Sequence, residues 1–323
     1  MRAGHVRNHP PHACRGERAL TVREFAPCKI NLTLDVFARR ADGFHDLDSI
    51  VVQVSPTDLL TVTVEPTFAA GEPFSEKPIS LTCTDSTLPT DGRNLAFRAA
   101  QVFLDRFVRH GGHHVSMHLD KRLPHQAGLG GGSSDAAAVL RALAGFFGVA
   151  TADLMSAATE IGSDVPLFLL DDPVRMRGRG EVIESLPRAL PDIHGVIVKP
   201  PTGIATAWAY GRLDALSGRV PGDAAARLVS ALESGDRMRV EELSGYLAND
   251  FEAAVLPANS DIRDAADGLR AAGALRALLC GSGSAVFGLA RDSAHAQRIA
   301  FELGDTYDYV QVAAPYRRSL GDT

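Results

Sequence analysis

The chain has 323 residues, 45% of them hydrophobic, enough for a large core and for one bilobal protein or two domains. Its 33 basic residues against 39 acidic ones leave a net charge of −6, which argues against a protein that coats nucleic acid or an anionic membrane. No run of about 18 apolar residues is present, and Cys14, Cys28, Cys83 and Cys280 are scattered without a Cys-x-x-Cys pair, so the pattern offers no spanning helix, zinc knuckle or disulfide framework and fits a reducing cytoplasm.

Residues 1–23 are basic, broken by prolines and without the apolar stretch of a secretion signal, so they read as a loose tail. From there FAPCKINLTLDVF (25–37) alternates, with Ile30, Leu32, Leu34 and Val36 on one side and Lys29, Asn31, Thr33 and Asp35 on the other, the mark of a strand with one core face. The turn RRADGFHDL follows, then strands at 48–55 and 58–65 separated by loop signals at 55–58. Residues 94–106 have helical spacing, and 114–124 return to alternation, placing Val115, Met117 and Leu119 inward and His114, Ser116 and His118 outward. That period speaks against reading His114 and His118 as a metal pair. A glycine-rich loop and a helix come next, then a helix near 152–162, the segment SDVPLFLL, a basic glycine turn RMRGRG and a strand at 195–200. Helices are expected at 224–233, 237–256 and 262–272, a strand–glycine turn–strand unit at 274–290, a helix at 294–303 and a last strand at 307–314. The expected architecture is α+β with two fused lobes: tail 1–23, first domain 24–171, second domain 172–310, and a final strand in 311–323 free to return to the first domain. Nothing in the pattern specifies an oligomeric state.

Leu123 to Ala138, LPHQAGLGGGSSDAAA, is the stretch with the clearest chemistry. Gly128, Gly130, Gly131 and Gly132 leave backbone N–H groups free to converge on an anion, and Ser133, Ser134 and Asp135 open an alanine-rich helix whose positive end would face a phosphate. A dinucleotide fingerprint would place a third glycine where Ser133 stands, and a Walker loop would need a lysine after glycine, which none of the four lysines satisfies. The plain alternative is a flexible turn ahead of an ordinary helix. The order Pro-x-x-x-Gly-Leu-Gly-Gly-Gly-Ser-Ser-Asp-Ala-Ala resembles the ATP loop of the GHMP small-molecule kinases.

The resemblance continues in the family's order through PCKINL (27–32), RADGFH (40–45), GSDVP (162–166), NDFE (249–252) and CGSGSA (280–285). PCKINL and RADGFH are similar to the diphosphocytidyl-methylerythritol branch, with Cys28 in place of a common alanine and Phe44 in place of a tyrosine. The resemblance implies an N-terminal ATP-binding lobe of ribosomal-protein-S5-like type, a C-terminal substrate lobe, and ATP-dependent phosphorylation of the 2-hydroxyl of a small molecule carrying a cytidine diphosphate moiety, in the non-mevalonate isoprenoid route. ATP is then the co-substrate and Mg2+ is expected, its ligands left unassigned. Another GHMP kinase, of homoserine or mevalonate type, and a nucleotide-binding regulator without catalysis are the competing readings; no nucleic acid or membrane partner is implied.

The same resemblance assigns roles. Asp164 becomes the base and Lys29 the cation beside it. Pro124, His125, Gln126, Ala127, Gly128, Leu129, Gly130, Gly131, Gly132, Ser133 and Ser134 become the ATP segment, with Asn94, Leu95 and Lys121 near the adenine. Phe44 becomes a stacking partner for cytosine and His45 a hydrogen-bonding one, while Asn31, Thr206, Tyr210, Gly281 and Ser282 line the substrate side. Each residue also has an ordinary structural reading. Asp164 ahead of Pro166 can cap a helix, Asn94 can cap the one after it, Lys121 can be a solvated strand end, Phe44 can fold over the core behind an Asp-Gly turn, and Gly281–Gly283 can be a tight turn.

Overall fold

A break at Leu32 decides how the first sheet is built. The strand expected over 25–37 forms two pieces, β1 (Leu20–Asn31) and β2 (Thr33–Arg39), both antiparallel to one long strand β3 (His45–Pro66). At the break the Thr33 side chain enters the ladder, its Oγ1 accepting from Ile50 N at 2.9 Å. The two strands expected at 48–55 and 58–65 are continuous in β3; its register against β1 shifts between Pro27 and Cys28, where Ser55 and Pro56 of β3 are left without partners on β1. The computed structural model describes residues 19–66, 78–108, 112–170, 173–186, 190–234 and 237–318. Residues 1–18 of the expected tail lie outside the described residues, and β1 takes in four positions, 20–23, assigned to that tail.

The first lobe adds β4 (Ile79–Cys83), parallel to β5 (His113–Asp120), and three helices, α1 (Leu95–Phe107), α2 (Gly131–Phe147) and α3 (Thr151–Ile161). On β5, Val115, Met117 and Leu119 are buried and His118 is exposed, as period-two alternation requires. Every residue of α2 from Ser134 to Ala144 is buried, and its alanines let it lie close against β1 and β3. A 3-10 turn at Pro166–Leu169 then leads to a hairpin of β6 (Val174–Gly178) and β7 (Val182–Ser185). β6 pairs with β3, and Val174 and Met176 join the first lobe's core, so the expected boundary at 171/172 falls too early. Residues 171 and 172 themselves lie outside the described residues.

The second lobe comprises β8 (His194–Lys199), α4 (Thr206–Asp214), α5 (Ala224–Ser234), α6 (Val240–Ser244), β9 (Ala248–Asn249), α7 (Glu252–Val255), α8 (Ser260–Ala271), β10 (Arg276–Leu279), β11 (Val286–Ala290), α9 (Ser293–Leu303) and β12 (Tyr309–Ala313). The helix expected over 237–256 is interrupted by β9, which pairs parallel to β2 and carries the Asn-Asp of NDFE back onto the first sheet. β12 completes the four-stranded sheet β10-β11-β8-β12 rather than returning to the first lobe. The return is made just beyond it, where Ser55 N donates to Ala314 O (2.9 Å) and Tyr316 N to Gln53 O (3.2 Å). A common core joins the lobes: Cys28, Ile30 and Leu32 of the first pack with Ile197, Leu278 and Phe287 of the second. That leaves the alternate residues Lys29 and Asn31 facing a cleft, which is why a strand buried on both faces still carries polar side chains. No helix among the described residues is long and apolar enough to cross a membrane.

Candidate active site

α2 begins at Gly131 with Gly130 in the left-handed region (φ 72°) as its cap, and no side chain caps the first-turn amides. Those amides and the positive helix end border a cavity of about 480 Å3. The loop cannot be rebuilt with larger residues: a Cβ on Gly128 (φ +77°) would stand 1.8 Å from Cys280 O. The early and late glycine turns therefore touch through bare backbone, secured by Ala285 N donating to Ala127 O (3.1 Å), while Lys29 N donates to Leu129 O (2.9 Å).

Residues 124–133, with Asn94, Leu95 and Lys121, all border this cavity. Three side chains are committed differently from the expectation. Ser134 is fully buried and does not line the cavity, because one step along a helix turns a side chain by about 100°, from Ser133 at the cavity into the core. Asn94 is a helix cap: its Oδ1 accepts from Ala96 N and its Nδ2 donates to Pro89 O, both at 2.9 Å. Lys121 is no solvated strand end, since its ammonium is buried between Asp58 (2.6 Å) and Asp135 (2.8 Å). Asp58 also accepts from Arg122 N (2.6 Å) and Leu123 N (2.7 Å), so this triad ties β3, the entry to the loop and the second turn of α2 together. Burial pushes the Asp135 carboxyl well up and the Asp58 charge adds to it, against the pull of Lys121. Burial works against the Lys121 charge too, but the two carboxylates outweigh it and hold the ammonium above its usual value.

A second cavity, about 730 Å3, meets the first at Gly128, Gly130, Ser133 and Thr206. Lys29, Asn31, Phe44, Asp164, Tyr210, Gly281 and Ser282 line it. Lys29 Nζ is 3.9 Å from Asp164 Oδ2 and donates to Asn31 Oδ1 at 2.5 Å, and Asn31 Nδ2 donates to Ser49 Oγ at 2.8 Å. Asp164 does not cap a helix: the cap of the 3-10 turn is Val165, and the Asp164 side chain, 35% exposed, is left to the cavity. Tyr210 is close enough to feel its charge; burial first, and Asp164 second, push the phenol up to about 12. On the far wall Thr206 Oγ1 and Ser282 Oγ are 3.1 Å apart, and Asn249 of NDFE holds the late glycine turn by donating to Gly281 O at 2.8 Å.

The Asp-Gly turn does not fold Phe44 over the core; the ring is 55% exposed at the cavity mouth, behind a turn in which Phe44 N donates to Asp42 Oδ1 (3.1 Å). The His45 side chain departs from expectation. Its ring is buried and stacked on Tyr210 (5.0 Å), with Nδ1 2.8 Å from Phe37 O and Nε2 3.2 Å from Asp214 Oδ1. Both nitrogens are engaged within the protein, so the ring braces the turn against α4 and offers no free edge to a ligand. Sequence reasoning missed Ser49, Arg179 and Glu181 on the acceptor side and Asp135 on the other. The basic glycine turn was the signal for Arg179; Ser49 had none, being one polar residue on an alternating strand.

Comparison with known proteins gives the family. Residues 94–172 match the family model for the GHMP kinases N terminal domain and 228–308 that for the GHMP kinases C terminal domain. The chain is 38% identical over 287 residues to a 4-diphosphocytidyl-2-C-methyl-D-erythritol kinase of Gloeobacter violaceus, covering 86% of this chain and 89% of that one. It is also 38% identical over 283 residues to one of Moorella thermoacetica, covering 86% and 93%. A crystal structure of 4-(cytidine 5'-diphospho)-2C-methyl-D-erythritol kinase superposes with a TM-score of 0.71 at 33% identity, covering 90% of this chain and 98% of that one. A homoserine kinase from Cytophaga hutchinsonii superposes with a TM-score of 0.68 at 18% identity, covering 96% and 98%, a likeness of fold alone.

Proposed function

Because the chain belongs to the 4-diphosphocytidyl-2-C-methyl-D-erythritol kinases within the GHMP kinase family, we propose that it transfers the terminal phosphoryl group of ATP to the 2-hydroxyl of that diphosphocytidyl alcohol, a step of the methylerythritol phosphate route to isoprenoids. One observation carries the reading: a cavity bordered by helix-start amides and a cavity bordered by Lys29 and Asp164 share Gly128, Gly130 and Ser133. Phosphoryl transfer needs little more than alignment of donor and acceptor and neutralisation of charge, and a shared wall supplies the alignment.

The residues divide the work accordingly. The amides of Gly131 to Ser133 and the dipole of α2 hold the nucleotide phosphates. Asp164 accepts the proton of the acceptor hydroxyl as the new P–O bond forms, and Lys29, held by Asn31, places a positive charge between that carboxylate and the incoming phosphate. Among the described residues no cluster of three or more His, Cys, Asp or Glu would hold a metal by itself. Mg2+, the ion expected for this chemistry, keeps several waters and needs only one or two protein ligands beside substrate phosphates. Ser133, shared by both cavities, would join those oxygens, and the ion would supply neutralisation of phosphate charge. Cys28, Cys83 and Cys280 are free thiols, which fits a cytoplasmic setting.

The test is ADP release with a panel of acceptors. Turnover with the diphosphocytidyl alcohol, and background rates with mevalonate and homoserine, is the expected result. Turnover with either of the latter alone, or with none of the three, would overturn the assignment.

A further inference from the structure

We propose that Ser49 is a positioning residue for the transfer: its hydroxyl, donating to the Thr33 carbonyl, makes the Asn31 amide turn its oxygen to Lys29 and so fixes where that ammonium stands beside Asp164. The inference deepens the proposed function and rests on it for the reaction in which the effect is read.

Lys29, Asn31, Ser49 and Thr33 form one chain of hydrogen bonds along the wall of the acceptor cavity. Lys29 Nζ donates to Asn31 Oδ1 (2.5 Å), Asn31 Nδ2 donates to Ser49 Oγ (2.8 Å), and Ser49 Oγ donates to Thr33 O (2.5 Å). All four residues are buried, so water competes little for these bonds and each is stronger than it would be at the surface. The far end of the chain exists because of the break at Leu32. There the Ile50 N–H is taken by the Thr33 hydroxyl instead of a strand carbonyl, and the Thr33 carbonyl accepts from the side chain of Ser49, the residue before Ile50 on β3. A regular antiparallel ladder would pair these groups backbone to backbone.

The two ends leave one orientation for everything between them. An ammonium only donates and a carbonyl only accepts, so Ser49 gives its single proton to Thr33 O and presents a lone pair to Asn31, whose amide must then point Nδ2 at Ser49 and Oδ1 at Lys29. The reversed amide would aim N–H groups at an ammonium. Lys29 is thus anchored by a neutral partner rather than by the carboxylate it serves, since Asp164 Oδ2, at 3.9 Å, lies beyond hydrogen-bond distance. That gap keeps the Asp164 oxygen open for the proton of the acceptor hydroxyl. Without the Ser49 hydroxyl the Asn31 amide is free to rotate, and Lys29 can close onto Asp164 and occupy the oxygen that takes the proton.

The experiment compares wild type with Ser49→Ala, Ser49→Thr and Ser49→Val, the last two alike in shape and different in the hydroxyl, and repeats Ser49→Ala in an Asn31→Ala chain. ADP release with the diphosphocytidyl acceptor gives kcat and the KM for ATP, and NMR of isotope-labelled lysine follows the Lys29 ammonium, one of only four lysines. Expected for Ser49→Ala and Ser49→Val is a kcat lower by about tenfold with the KM for ATP unmoved, the worth of one hydrogen bond that orders a charged group. The Lys29 ammonium protons should exchange faster with water in both. Ser49→Thr should recover most of the kcat that Ser49→Val loses, and in the Asn31→Ala chain removal of the Ser49 hydroxyl should lower kcat no further. Wild-type kcat in Ser49→Ala would overturn the proposal. So would equal rates in the threonine and valine variants, or an undiminished further loss in the Asn31→Ala chain, since either means that the hydroxyl does not act through Asn31. If wild type failed to turn over this acceptor while exchange at the Lys29 ammonium still depended on the Ser49 hydroxyl, the functional reading would fall and the relay would stand.

Discussion

The cavity at the start of α2 is bordered by one continuous stretch, residues 124–133, whereas the second cavity gathers Lys29, Phe44, Asp164, Arg179, Thr206 and Ser282 from separate segments of both lobes. The first presents backbone amides and a helix dipole, which any sequence with glycines in the right places supplies. The second presents side chains whose meeting depends on the packing of two sheets. Anion binding by backbone tolerates little change in the chain's path, while recognition by side chains can be retuned one residue at a time.

The sharpest way to break this contrast is to remove the support beneath the backbone cradle. Lys121→Met leaves Asp58 and Asp135 buried without their cation, and loss of one partner from such a site costs about 3–5 kcal/mol. Urea unfolding should show a loss of that order, with ATP KM raised in whatever folded enzyme remains; an unchanged midpoint would mean that the triad does not hold the loop. On the acceptor side, Asp164→Asn should leave the fold and both KM values nearly intact and lower kcat by about 100-fold or more, the usual worth of positioned proton transfer. A loss under about threefold in single-turnover rate would remove Asp164 from the proton path.

The smallest effect concerns pH. The Asp135 carboxyl is raised in the folded chain, by burial first, so the folded state holds its proton more tightly than the unfolded state does. Stability is therefore full below the ordinary carboxyl range and is lost as pH rises toward the raised value, about 8. Asp135→Asn has no such proton to lose. Melting temperatures of wild type and variant should be most alike near pH 4 and diverge by a few degrees in favour of the variant by pH 8. Parallel curves would show that Lys121 holds Asp135 ionised throughout.

Several features were legible in the chain because they are local. Alternation on β5 and the helical spacing of α1 follow from which residues must be buried, and the phosphate loop follows from glycines set directly before a helix. The Leu32 break was not legible, because it depends on the Thr33 hydroxyl replacing a backbone acceptor in the β3 ladder. The β6–β7 hairpin was read as a turn alone, since its strands are short and half exposed, β6 gaining its identity by pairing with β3 and β7 by pairing with β6. On the candidate site, the residue types at Lys29 and Asp164 suggested the chemistry, yet neither the Lys121 triad nor the bracing of His45 against Asp214 could be read, because their partners lie 63 and 169 positions away.

By itself, then, the sequence determined where a glycine loop opens a helix: glycines and a helix start fix that segment within one short stretch, whatever the rest of the chain does. It also carried, in the residues it shares with a family of kinases, the class of reaction. Only the tertiary structure decided that Ser133 rather than Ser134 lines the cavity at the start of α2, that Lys121 is buried between two carboxylates, and that Arg179 stands over Phe44. Those outcomes depend on the rotation of a helix against its sheet and on the docking of a hairpin to a distant strand. Neither is a property of local sequence, because each is set by the partner surface against which the element is buried.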